Sequence, residues 1–96
     1  MRTTYLVCYD VADDKRLRRT FKTCCNFGDH LQYSVFECDL SPAEKIALEQ
    51  KLSEIINYNE DQVLFVALGP AEGRGDRVIT ALGLPYAKVD APCYVV

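Results

Sequence analysis

The chain has no apolar run approaching the roughly 20 residues that a membrane-spanning helix needs. Its opening Met-Arg-Thr-Thr begins no signal-peptide hydrophobic region and no small-residue cleavage site. Both absences point to a cytoplasmic protein. The five cysteines contain no CxxC pair, and His30 is the only histidine available to help them hold zinc. Buried structural thiols are therefore expected. The glycines at 69, 73 and 75 lack the strand–GxGxxG–helix setting that cradles phosphate. No Ser-His-Asp or Cys-His arrangement can be argued, and no internal repeat or low-complexity segment is present.

What is there fits one small domain, residues 1–96. A chain this short buries only about two-thirds of its unfolded surface, so a partner subunit would help its stability. Net charge is −3, but residues 15–22 carry five positive charges (Lys15, Arg16, Arg18, Arg19, Lys22) and no acid. Positive charge is thus concentrated in one segment of an otherwise acidic chain. Such a footprint meets phosphates, although a solvated helix face has the same composition.

Residues 4–9 are apolar on both faces and read as a central strand. Asp13 or Asp14 can cap a helix over about 15–26. On it Leu17, Phe21 and Cys24 form one core face, Arg16, Arg18, Arg19 and Lys22 spread over the opposite side, and Gly28 closes the end. Residues 30–40 are β-rich and long for one strand, which predicts a bend or bulge near 32–34. Ser41, Pro42 and Glu44 start a second helix with a capping box. It runs to about Asn57, with Leu48, Leu52, Ile55 and Ile56 inward. Residues 62–68 form another two-faced strand. The order to this point is β-α-β-α-β, and two helices on one face of a mostly antiparallel sheet is a ferredoxin-like plan, an α+β βαββαβ sandwich. Short strands are further expected at 78–82 and at about 91–96, the latter needing an edge to pair with.

Asp10 ends the first strand, where a carboxylate can hold a hard cation such as Mg²⁺. One carboxylate is a thin site. A twofold dimer would bring a second copy, and a shared metal could polarise a phosphodiester or activate water. Spacing alone equally fits a capping or solvated loop aspartate. Gln32, Ser34 and Phe36 would share one strand face, either a subunit interface or a wall beside metal and nucleic acid. His30 could serve as an acid or base, or lie in a surface loop.

Two segments, "YDVADDKRLRR" after the first strand and "GDHLQYSVFECDLS" some twenty residues on, resemble the CRISPR-associated protein 2 family. The likeness covers essentially residues 4–68. It implies a homodimer of ferredoxin-like subunits whose C-terminal strand crosses to the partner's sheet. It also implies a role in spacer acquisition, with the dimer holding duplex DNA between dimers of the CRISPR-associated protein 1 integrase. Members have been described as Mg²⁺- or Mn²⁺-dependent endonucleases acting on RNA or DNA. By motif position Asp10 matches the metal-binding and catalytic aspartate, and Tyr9 the aromatic before it. Arg18 or Arg19 matches the helix arginines, Ser34 the serine and Phe36 the phenylalanine. The family often has arginine where this chain has His30, which weakens any phosphate contact there. A toxin-like endoribonuclease of the same fold and a small-molecule-binding regulatory module are the alternative readings.

Overall fold

The computed structural model describes residues 1–73 and 80–85. Its elements are β1 (Thr3–Asp10), α1 (Asp14–Cys25), β2 (Asp29–Gln32), β3 (Val35–Leu40), α2 (Pro42–Ile55) and β4 (Gln62–Pro70). The strands form one sheet in the order β2-β3-β1-β4, every neighbouring pair antiparallel. This is the expected ferredoxin-like βαββαβ plan. The C-terminal strand expected at 91–96 lies outside the described residues. Of the strand expected at 78–82, residues 80–82 are described and are irregular.

Local signals place both helices. Asp13 caps α1, its carboxylate accepting from the N–H groups of Lys15 and Arg16, both at 3.1 Å. Ser41 caps α2 reciprocally: its hydroxyl accepts from Glu44 N–H at 3.2 Å, and Glu44 accepts from Ser41 N–H at 2.8 Å. α2 stops at Ile55, and Ile56 is extended while its N–H donates to Leu52 O at 3.0 Å. Leu48 and Leu52 are buried as their spacing requires, whereas Ile55 and Ile56 are only partly covered.

The core lies between the two helices and one sheet face. Val7 and Tyr9 of β1, with Phe36, Cys38 and Leu40 of β3, meet Cys24 of α1 and Leu48 and Leu52 of α2. Side chains alternate across a strand, so Leu6, Cys8 and Asp10 belong to the other face. Among the described residues no layer covers the apolar side chains of that face: Leu64 and Val66 of β4 are 48% and 43% exposed.

Residues 30–40 are not one bent strand. The chain reverses at Tyr33–Ser34, so β2 and β3 form a hairpin with a register shift between His30 and Gln32. Gln32, Ser34 and Phe36 therefore do not share a face as the alternation predicted. Ser34 sits in the turn, and Phe36 is fully buried against the helices. The turn carries no Gly, Asn or Asp to announce it. Tyr33 takes the positive φ itself, at +27°, a conformation of order 1–3 kcal/mol above the common ones for such a residue.

Candidate nucleic-acid interface and carboxylate site

α1 divides its cations between two roles. Lys15, Arg18, Arg19 and Lys22 line a shallow, open depression on the outer face of the helix. All four are exposed. Among the described residues none of their side chains has an ion pair or hydrogen bond. Lys22 stands in the last turn, where a cation also complements the helix dipole. The result is a compact cluster of unneutralised positive charge.

Arg16, expected in that set, is engaged elsewhere. Its Nε donates to Asp61 Oδ2 at 2.8 Å, and its Nη2 donates to Asp61 Oδ1 at 3.3 Å and to Glu60 Oε1 at 3.0 Å. The spacing puts Arg16 on the flank of α1 that meets the α2–β4 loop, so its guanidinium is already occupied by carboxylates. Asp61 has a fully buried side chain. It also accepts from Ala12 N–H at 2.9 Å and Asn57 N–H at 2.8 Å. The hydrogen bond from Arg16 is the main reason this carboxyl lies well below the usual range, and the same bond raises Arg16. Asp61 thus ties the loop that follows Asp10 to α1 and to the start of β4. No spacing rule in the sequence marks it, because Arg16 is 45 residues away.

Asp10 is exposed at the last position of β1, in register with Gln62 of β4. Its carboxylate has no hydrogen bond or ion pair among the described residues. By strand alternation it belongs to the uncovered sheet face, whereas α1 lies on the covered one. Tyr9, Phe36 and His30 do not gather around it. Tyr9 is 6% exposed and stacks on Phe36 with centroids 6.3 Å apart. His30 packs its ring against Phe21 and Phe36 at 5.0 and 4.9 Å. These rings are a packing cluster under α1, and Ser34 joins it to β1 by accepting from Tyr9 N–H at 3.0 Å. Burial pushes the Tyr9 phenol up, so it stays protonated at neutral pH.

Of the cysteines, Cys24 and Cys38 are buried packing residues, whereas Cys25 is disulfide-bonded and not the free thiol expected. Cys8, Cys24 and Cys38 are free. Burial pushes Cys24 and Cys38 each up to about 12, so at neutral pH both are protonated thiols and poor nucleophiles. Among the described residues no three His, Cys, Asp or Glu side chains gather as a metal cluster. At the end of β1 the chain therefore offers a hard cation one carboxylate, Asp10. Its oxygen donors suit Mg²⁺ or Mn²⁺, which bind through one or two carboxylates and keep several waters.

Two helices on one face of a four-stranded antiparallel sheet, in the order βαββαβ, define a ferredoxin-like α+β protein. The chain belongs to the family described as CRISPR associated protein Cas2, whose model matches residues 2–73. It is 47% identical over 72 residues to "CRISPR-associated endoribonuclease Cas2" of Geobacter sulfurreducens, covering 75% of this chain and 76% of that protein. It is 37% identical over 92 residues to "CRISPR-associated endoribonuclease Cas2 1" of Rhodospirillum rubrum, covering 96% and 89%. The crystal structure of Streptococcus pyogenes Cas2 at pH 6.5 is similar with a TM-score of 0.67 and 35% identity, over 80% of this chain and 99% of that one. No helix among the described residues is long and apolar enough to cross a membrane.

Proposed function

We propose that this chain is a cytoplasmic, homodimeric CRISPR adaptation protein that grips the phosphates of duplex DNA with α1 and bridges dimers of the CRISPR-associated protein 1 integrase. One observation carries the DNA-binding part: four exposed cations, Lys15, Arg18, Arg19 and Lys22, cluster on one helix face without acidic partners among the described residues. Such contacts neutralise phosphate without reading bases, so binding is sequence-independent and salt-sensitive. The integrase partnership rests on the family alone. The apolar face bearing Leu6, Cys8, Leu64 and Val66 supports the dimer, since no described residue covers it and a second copy would.

A second activity is favoured by the free carboxylate of Asp10 at the rim of that face. Across a twofold axis two copies of Asp10 repel unless a proton or cation joins them, which makes the pair a site for Mg²⁺ or Mn²⁺. A bound dication supplies Lewis-acid polarisation of a phosphodiester or of water. Asp61 fixes the loop after Asp10, and the two copies of Asp10 would hold the ion. Relatives named endoribonucleases support hydrolysis of RNA, and DNA is the other substrate class.

One comparison tests both parts. Wild type, Asp10→Asn and the double variant Arg18→Ala with Arg19→Ala are measured for nuclease activity, for DNA affinity against salt, and for spacer integration with the integrase. Asp10→Asn is expected to lose cleavage while remaining dimeric. The double variant is expected to flatten the slope of log affinity against log salt by about 2 per protomer. Cleavage that persists in Asp10→Asn, or without metal, rules out the carboxylate site, and a salt-insensitive wild type rules out the phosphate grip.

A further inference from the structure

Tyr33 takes part neither in the cationic face nor in the Asp10 site, yet the fold holds it in an unusual way. The residue is 84% exposed, and its φ of +27° lies in the left-handed region that glycine, asparagine and aspartate adopt most readily. A two-residue hairpin turn is normally built from those residues, but here a large aromatic stands at the position. Its backbone is pinned from two sides. His30 Nε2 lies 2.9 Å from the Tyr33 carbonyl oxygen, and the His30 ring is itself packed on Phe21 and Phe36. The next residue, Ser34, accepts from Tyr9 N–H at 3.0 Å. With the backbone pinned, only the ring's own side-chain torsions remain to be fixed when something packs on it.

The position of the ring suggests what that something is. The contact between Phe21 and His30 sets the hairpin against one flank of α1. Arg18 lies three residues before Phe21, on the same flank and one turn nearer the helix start. It is exposed and lines the cationic depression. α1 begins four residues after β1 ends, at the end of the sheet where Tyr9 meets Ser34. Tyr33 and Arg18 therefore share one corner of the molecule, and an aromatic platform beside cations suits bases and phosphates of a single strand. In a closed duplex the base faces are stacked on one another and unavailable.

We propose that Tyr33 is a base-stacking residue, so that this corner takes single-stranded nucleic acid with unpaired bases. The proposal rests on the phosphate-binding reading of α1 and adds the substrate class. His30 acts through Tyr33, as the residue that positions its backbone.

The chain contains no tryptophan, so Tyr33→Trp installs a unique fluorophore at the turn. The intact dimer of this variant is titrated in EDTA with a single-stranded oligonucleotide, an abasic oligomer of equal length and a blunt duplex. EDTA keeps the result independent of metal at Asp10. Stacking predicts quenching of the indole by the base-bearing single strand alone. It also predicts that Tyr33→Ala and Tyr33→Gly lose about tenfold in single-strand affinity, that Tyr33→Phe retains it, and that duplex affinity is unchanged. The glycine variant relieves the positive φ, so misfolding cannot account for its loss. Equal quenching by the abasic oligomer overturns the proposal, as does unchanged single-strand affinity in Tyr33→Ala. Indole emission already blue-shifted in the free protein also overturns it, because a second copy then covers the turn. If the Arg18→Ala and Arg19→Ala double variant keeps the full salt slope while Tyr33→Ala still weakens single-strand binding, the phosphate reading of α1 fails and the stacking assignment stands.

Discussion

At the scale of single residues, Asp61 shows how one carboxylate can organise a neighbourhood. It accepts hydrogen bonds from Ala12, Asn57 and Arg16, which belong to three separate segments. Its folded pKa is depressed, chiefly by Arg16, so the folded state is favoured above the ordinary carboxylate value of about 3.9. That contribution is lost as pH falls below this value and through the folded one. Asp61→Asn is expected to flatten the acid limb of a plot of urea midpoint against pH. It should also lower the midpoint at neutral pH, because Arg16 loses its buried counter-charge. An unchanged acid limb would show that Asp61 is not the linked group. The same network explains what the residues alone could not reveal. Arg16 and Arg18 are equivalent members of one basic run until the fold brings Asp61 and Glu60 against one of them. Asp10, by contrast, was legible as a strand-terminal carboxylate, because an abrupt change from apolar to acidic is a local signal.

At the scale of elements, local chemistry and tertiary contact divide the credit. Both helix starts were readable, since a cap is completed by neighbours two or three residues away. The hairpin was not, because its turn lacks the residues that normally mark one, and Tyr33 is held at positive φ by His30 and by the pairing of β2 with β3. Gly28 shows a similar gap. The sequence rule makes it the glycine that closes α1, but the helix ends at Cys25 with Asn26 as its C-cap and Gly28 takes no positive φ; what requires glycine is that a Cβ there would collide with Cys38 Sγ and Glu37 O. The segment joining α1 to β2 passes directly against β3. Gly28→Ala is therefore expected to destabilise the protein by about 1–3 kcal/mol, the range for overpacking a tight contact, measured as a lowered urea midpoint with unchanged m-value. Stability equal to wild type would mean that the contact relaxes freely.

At the scale of the whole molecule, hydrophobic periodicity made the ferredoxin-like plan readable, because strands apolar on both faces call for covering layers on both sides. The helices supply one layer. The face with Leu64 and Val66 exposed is where a second subunit would supply the other. Leu64→Glu is expected to shift a dimer toward monomer in sedimentation, by placing a charge in an apolar contact. A dimer of unchanged strength would move the interface elsewhere. What the sequence could not show was sidedness, since adjacency of Asp10 to the basic helix along the chain does not give their sides of the sheet. The strand alternation sets them apart, with the cations outside α1 and the carboxylate on the opposite surface. If the proposed function holds, the sheet would insulate holding from cutting. A stretch of nucleic acid lying along α1 would be out of reach of Asp10 of the same chain, so the protein could carry a segment as intact cargo. Occupancy of one surface need not compete with occupancy of the other.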